Sequence, residues 1–468
     1  MTLPVPKIAV VGHTNVGKTS LLRTLLRDVE FGEVSVSPAT TRHVEGVSLL
    51  VGGECVADLY DTPGLEDSIG LLEHLDAITG ERRMDGIDVI REFLSSDHAR
   101  RAFSQEAKAL RQVLASDVAL YVIDARDRVS GKLRDELEIL GCCAKPVVPV
   151  LNFVAGPETR TAEWREHLAR VNMHAVVEFD TVVLDGWGER RLFEKISTLL
   201  DPYRETLEAL IEDRARQRKH LIRASADLIA ELLIDVAAHV VVAAVADETS
   251  ARKAMETMQQ TVRDREQKCV DDLLAVHGFR EKDFESGDFP IIDGKWGLDL
   301  FSPEALKDFG IRATGAAAAG AMAGLAVDVM VGGLTMGVAA ATGAALGALF
   351  SATKSHGSRI IDRVRGFTEL RVDDQTIRLL AARQNALVQA LFHRGHASQD
   401  LIGRLPLETK ESSSKKLPEP ILLSKIHPDW SSLSGDGFRN QGIERRIEAV
   451  DDLAGGIERR LSAAQAGQ

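Results

Sequence analysis

Near the N-terminus, Gly12-His13-Thr14-Asn15-Val16-Gly17-Lys18-Thr19 has the residue types and order of a polyphosphate cradle. Its glycines let the backbone wrap closely round phosphate oxygens, so that amide N–H groups point inward. Lys18 is placed to reach the β- and γ-phosphates, and the Thr19 hydroxyl to ligate Mg²⁺, with Ser20 following in the next turn. Further along, Asp61-Thr62-Pro63-Gly64 supplies a carboxylate that can hold Mg²⁺ directly or through water. Gly64 has no side chain to keep its N–H from the terminal phosphate.

These residues need a rigid frame. The apolar run Ile8–Val11 reads as a strand and Ser20–Leu26 as a helix, so the cradle sits between them and gains the positive end of the helix dipole. Two alternating runs, Val44–Val51 and Cys55–Tyr60, are split by Gly52-Gly53 and read as a hairpin that delivers Asp61. Val118–Ile123, Pro146–Phe153 and Ala175–Phe179 have the continuous apolar character of buried parallel strands. Helical patterns cover Ala99–Ala115, Lys132–Leu140, Glu163–Val171 and Arg190–Leu199. The alternation predicts an α/β fold, a doubly wound and mostly parallel sheet with nucleotide at the carboxyl ends of its strands.

The motifs Asn15-Val16-Gly17-Lys18-Thr19, Ala39-Thr40-Thr41-Arg42-His43 and Asp61-Thr62-Pro63-Gly64 resemble those of bacterial GTPases of the TrmE–Era–EngA type, and the Thr-Thr-Arg-His form is especially similar to Era. The resemblance covers about the first two hundred residues. It implies a P-loop GTPase domain binding GTP and GDP. It further implies that Thr41, in a first switch, closes onto Mg²⁺ and the γ-phosphate, and that Asp61 and Gly64 anchor a second switch. Asn15 matches an asparagine that helps several relatives hold an activating K⁺; the alternative is a side chain that caps the local turn. Lys18 and Thr41 are the candidate catalytic residues.

The sequence departs from that pattern in places. Leu65 stands where Ras-like proteins carry a water-orienting glutamine, and a leucine cannot orient water by hydrogen bonding. The base motif, Asn-Lys-x-Asp in the family, reads Asn152-Phe153-Val154-Ala155; Asn152 survives, Phe153 is able to stack on a base, and Ala155 cannot accept a hydrogen bond through its side chain. Selection of guanine over adenine is therefore open. Asp180 reads as a turn carboxylate rather than a substitute. Residues 66–105 form an insertion after the second switch, either a regulatory element or a surface loop.

Beyond a GTPase domain at 1–201, a mainly helical domain is expected at 202–404, with long helices over Tyr203–Ala246, Ser250–Val276 and Arg371–Phe392. Asp227, Glu231, Asp235 and then His239 fall on one helix face, read as a solvated acidic face rather than a metal site. Ala313–Thr353 is an Ala/Gly-rich apolar stretch with one charge, Asp328, and with basic residues at both ends. Small residues recur in it at four-residue spacing. It is expected to be a helical hairpin at 313–353, either in a membrane or in a protein core. Residues 405–440 read as a linker or mobile loop, and 441–468 as a charged C-terminal helix.

A net charge of −13 disfavours broad non-specific binding of nucleic acid. The cysteines Cys55, Cys142, Cys143 and Cys269 form no C-x-x-C pair, consistent with reduced thiols. Met1–Lys7 shows no basic region followed by an apolar core, so no cleavable signal is expected. The leading reading is a slow, Mg²⁺-dependent GTPase switch in the cytoplasm, K⁺-activated if Asn15 holds the cation rather than capping the turn, whose helical domain contacts the inner face of a membrane, through lipid or membrane protein, or a protein partner. The alternative is an RNA- or ribosome-associated GTPase that assists ribosome assembly or tRNA modification. A third reading is a non-hydrolysing scaffold with weak nucleotide affinity. The sequence does not fix oligomeric state.

Overall fold

The computed structural model describes residues 4–26, 45–80, 84–156, 158–181, 186–244, 248–279, 291–292, 295–311, 327–331, 334–337, 367–393, 416–433 and 443–466. The chain divides into two compact units, one built mainly from residues up to Gln217 and the other mainly from Arg218 onward.

In chain order, the first unit contains β1 (Lys7–Gly12), α1 (Lys18–Leu26), β2 (Glu45–Val51), β3 (Glu54–Asp61), α2 (Ser68–Thr79), α3 (Gly86–Ser95) and α4 (Ser104–Ala115). Then follow β4 (Val118–Asp124), α5 (Gly131–Gly141), β5 (Val147–Asn152), α6 (Thr161–Arg170), β6 (Val177–Glu178) and α7 (Gly186–Leu199). The strands form a six-stranded sheet in the order β2-β3-β1-β4-β5-β6, parallel except for the β2–β3 hairpin.

The period of two along each strand divides the core into two layers. Ala9 and Val11 of β1 and Ala119, Tyr121 and Ile123 of β4 face α2 to α6, meeting Leu71, Phe93, Leu110, Leu137 and Trp164. Ile8, Val10, Val118, Leu120 and Val122 face the other way, against Leu21, Leu22 and Leu25 of α1 and Phe193 of α7. Because the central strands are covered on both faces, their sequences are apolar throughout rather than alternating. The insertion is part of this core. Leu71, Leu75, Val89, Ile90 and Phe93 are buried on it, so the surface-loop alternative for 66–105 does not hold over the described residues.

The second unit takes the later turns of α8 (Arg204–Ala238), then β7 (Val240–Ala244), α9 (Glu248–Val276), β8 (Ile291–Ile292), β9 (Lys295–Trp296) and α10 (Pro303–Asp308). It continues with β10 (Val327–Val331), β11 (Leu334–Gly337), β12 (Phe367–Val372), α11 (Asp374–His393), α12 (Glu419–Ile426) and α13 (Ile443–Ala466). An antiparallel four-stranded sheet, β11-β10-β12-β7, lies among the helices.

That sheet corrects several expectations. The helix expected over Tyr203–Ala246 ends at Ala238, because the β-branched run Val240-Val241-Val242 pairs with β12. Arg371 and Val372 belong to β12, and α11 begins only at Asp374. Within the expected helical hairpin, Val327–Val331 and Leu334–Gly337 are paired strands; Val327, Val329 and Val331 recur with period two, not 3.6. The rest of 313–353 lies outside the described residues. Among the described residues no helix is long and apolar enough to cross a membrane. Part of the expected linker is also ordered, since α12 and a 3₁₀ turn at Pro428–Trp430 bury Ile421 and Trp430.

The acidic face of α8 is not uniformly solvated. Asp235 and His239 are buried, and Asp235 bonds Arg265 Nε at 2.9 Å and Arg446 Nη2 at 3.1 Å. Its Oδ1 also accepts from the Ser432 amide at 3.0 Å. No group of three metal-ligating side chains occurs among the described residues. Because Asp235 neutralises two guanidinium groups carried by α9 and α13, Asp235→Ala should destabilise the second unit by about 3–5 kcal/mol. Thermal or urea unfolding of the full chain should show an earlier transition; an unchanged midpoint would show that the cluster is not structural.

Candidate functional site: a phosphate cradle and its base loop

The cradle is set by where β1 ends. Gly12 is its last residue, and the chain leaves it through His13, Thr14 and Asn15 before α1 starts at Lys18. Asn15 adopts a left-handed conformation at φ 63°, one that asparagine tolerates. Gly17 has φ 92°, and a Cβ there would stand 2.4 Å from Asn152 Nδ2, so the carboxamide can reach the loop only if residue 17 is glycine.

Lys18 is buried, and its ammonium bonds the loop's own carbonyls, His13 O at 2.7 Å and Gly12 O at 3.2 Å. Burial lowers its pKa, opposed by the charges of Asp61, Glu136 and Glu66. Thr19 Oγ1 donates to Asp61 Oδ2 at 2.5 Å. Burial raises the Asp61 pKa, against the Thr19 hydroxyl and the Lys18 charge. Asp61 Oδ1 is buried and lacks a donor at hydrogen-bonding geometry among the described residues. Thr62 Oγ1 ties the end of β3 to β1 through Val10 O at 2.7 Å. Gly64 then lies against the cradle: a Cβ there would be 2.9 Å from the Thr14 amide nitrogen.

At the end of β5 Asn152 is fully buried. Its Nδ2 donates to Val16 O at 3.0 Å, while its Oδ1 accepts from the Phe153 amide at 2.9 Å and the Thr181 amide at 3.0 Å. One side chain thus joins the phosphate loop, the base loop and the segment after β6. Phe153 is left-handed, φ 57°, and carries the Arg126 guanidinium 4.2 Å over its ring. Arg126 in turn is paired with Asp124 at 2.7 Å.

The structure therefore brings together Gly12, His13, Thr14, Asn15, Val16, Gly17, Lys18, Thr19, Ser20, Asp61, Gly64 and Asn152. Thr41 lies outside the described residues. Sequence reasoning missed Glu136 and Tyr121. Glu136 of α5 is fully buried, accepts from Tyr121 Oη at 2.9 Å, and lies 3.1 Å from His13 Nδ1, which is also 3.3 Å from Leu65 O. Burial, with Glu136 alongside, pushes the Tyr121 hydroxyl pKa well up. A signal was present: Glu136 shares the face of Leu133, Leu137 and Leu140, where an acidic residue needs a buried partner. Just beyond Leu65, the Asp67 amide donates to Glu106 Oε1 at 3.0 Å, and Ser68 Oγ donates to Lys132 O at 3.0 Å.

A strand–cradle–helix with a buried lysine, a hydroxyl–carboxylate pair and an asparagine-braced base loop gives the first unit the fold of a P-loop GTPase domain, similar to that of the Era/TrmE kind. Residues 7–153 match the family described as 50S ribosome-binding GTPase. The chain belongs to the family described as domain of unknown function (DUF3482), which matches residues 165–455. The tRNA modification GTPase MnmE of Synechococcus elongatus is 33% identical over 133 residues, 28% of each chain. GTPase Der of Karelsulcia muelleri is 24% identical over 148 residues, 32% of this chain and 28% of its own. The chain thus spans little more than a quarter of the length of these curated relatives. Among solved structures, Aquifex aeolicus Era bound to GDP·AlF₄⁻ is 16% identical, with a TM-score of 0.30, over 59% of this chain and 90% of its own.

Lys18→Ala removes the buried ammonium held at the cradle by Gly12 O and His13 O, and should weaken GTP and GDP binding at least about 100-fold. Calorimetric titration measures this, and unchanged affinity would contradict the assignment of the cradle.

Proposed function

We propose that this GTP-binding protein is a slow, Mg²⁺-dependent and K⁺-activated GTPase switch, whose second unit passes the nucleotide state to a macromolecular partner. The observation that carries the reading is the buried Thr19–Asp61 pair at 2.5 Å, whose second carboxylate oxygen, Oδ1, has no donor at hydrogen-bonding geometry among the described residues. A hydroxyl and a carboxylate are hard oxygen donors that fit Mg²⁺. The ion would neutralise charge between the terminal phosphates, and Lys18 would share that task.

Leu65 is fully buried in the core, so its side chain does not reach attacking water. Charge stabilisation from the cradle must then supply the acceleration, and this supports a monovalent cation held by Asn15. The switch has a direct outlet. Leu65 is followed within three residues by α2, whose N-cap is Asp67, with Oδ1 accepting from the Gly70 amide at 3.0 Å. A change at Gly64 is thereby passed to the insertion helices through a short, hydrogen-bonded connection. Contact with an inner membrane surface rests on the apolar composition of 313–353. The RNA-linked alternative rests on the relatives' names and is opposed by the net charge of −13.

GTP hydrolysis should be roughly tenfold faster in KCl than in NaCl of equal strength, and Asn15→Ala should remove the difference while sparing GDP affinity. Equal rates in both salts would overturn the cation assignment. On fractionation of cells, the full chain should pellet with membranes and resist high salt. Co-sedimentation with ribosomal subunits instead would select the RNA-linked alternative.

A further inference from the structure

Guanine presents two adjacent N–H donors, at N1 and the exocyclic N2, where adenine presents none in that arrangement. A site that prefers guanine needs acceptors in the plane of that edge, and a carboxylate supplies two. The position at which the base motif ordinarily carries one is Ala155, whose side chain is a methyl group.

The fold brings a carboxylate to that place from elsewhere. Asp180 follows β6 and is half-buried, and its Oδ2 accepts from the Ala155 amide at 2.9 Å. The next residue is fixed as well, since the Thr181 amide donates to Asn152 Oδ1 at 3.0 Å. The base loop and the segment after β6 are therefore joined by two bonds from adjacent residues, and Asp180 stands beside the backbone from which the side chain of residue 155 leaves. Phe153, two residues earlier, offers a ring face backed by Arg126 at 4.2 Å. A carboxylate oxygen accepts more than one hydrogen bond, and the contact with Ala155 orients Asp180 at the base loop.

We propose that Asp180 reads the guanine edge in place of the missing carboxylate at position 155, making it the specificity-determining residue of this site. The proposal rests on the GTP-binding reading and deepens it. The carboxylate is recruited from the end of β6 because β5 and β6 are paired in parallel, Val150 beside Val177 and Leu151 beside Glu178, so their C-terminal loops emerge side by side. In sequence the two positions are far apart, and nothing in Asn152–Ala155 announces the partner.

The test is equilibrium binding of the full chain to GTP, ATP, ITP and xanthosine triphosphate. The native chain should prefer GTP to ATP and bind ITP, which lacks the 2-amino group, more weakly than GTP. Asp180→Asn keeps an oxygen for the Ala155 amide but replaces an acceptor by a donor. It should lower GTP affinity roughly 10- to 100-fold and raise that for xanthosine triphosphate, which carries a carbonyl in place of the amino group. Ala155→Asp combined with Asp180→Asn should restore the guanine preference. Should Asp180→Asn fail to fold, Asp180→Glu displaces the carboxylate by one methylene and should lower affinity for GTP but not for ATP. An unchanged ratio of GTP to xanthosine triphosphate in Asp180→Asn overturns the proposal, as does an equal loss for all four nucleotides, the signature of simple loop support. If the native chain binds GTP no better than ATP, guanine selection itself fails. If it binds no nucleotide at all, the underlying GTP-binding reading fails, and the two failures are told apart directly.

Discussion

The first unit depends on burying opposite charges in a cradle built for a third. Lys18 and Asp61 are both withdrawn from water, and burial shifts each toward its neutral form, the lysine downward and the aspartate upward. Neither is fully answered by the other, since the ammonium bonds backbone carbonyls and, among the described residues, one carboxylate oxygen has no donor at hydrogen-bonding geometry. Such an arrangement is costly to hold in a packed protein. On the proposed reading, a polyphosphate and its cation would offset that cost at the point where a strand, a hairpin and a helix converge.

The frame that holds those charges is tied by small, fully buried polar contacts. Asn152 is bonded to three separate segments, and Thr62 fastens the end of β3 to β1. Both side chains stand at or just past the C-terminal end of a strand, β5 for Asn152 and β3 for Thr62. Glu136 repeats the theme on the opposite layer, where Tyr121 below and His13 above complete a buried carboxylate. Through His13 that carboxylate also reaches the backbone of Leu65, so the segment after Gly64 is tied to the core.

The second unit uses buried ion pairs at larger scale. Asp235 serves Arg265 and Arg446, and Glu266 holds Arg383 at 3.2 Å while that guanidinium also meets Leu298 O at 2.7 Å and lies 5.0 Å over Trp296. These partners come from helices well separated in the chain. They fix how those helices register within the unit, which apolar residues alone do loosely.

The sequence by itself determined the glycine-rich cradle and the parallel sheet, because each rests on local spacing: a glycine-rich turn between a strand and a helix, and apolar runs of strand length. It also located most helices of both units. It did not reveal that Val240–Ala244 and Val327–Val331 pair as strands, because short apolar runs have no decisive period and take their state from the edge they meet. It could not show Glu136 beneath His13, the burial of Asp235, or Asp180 beside Ala155. Those contacts join residues distant in the chain, and only the parallel pairing of strands and the packing of helices decide which charges share a site.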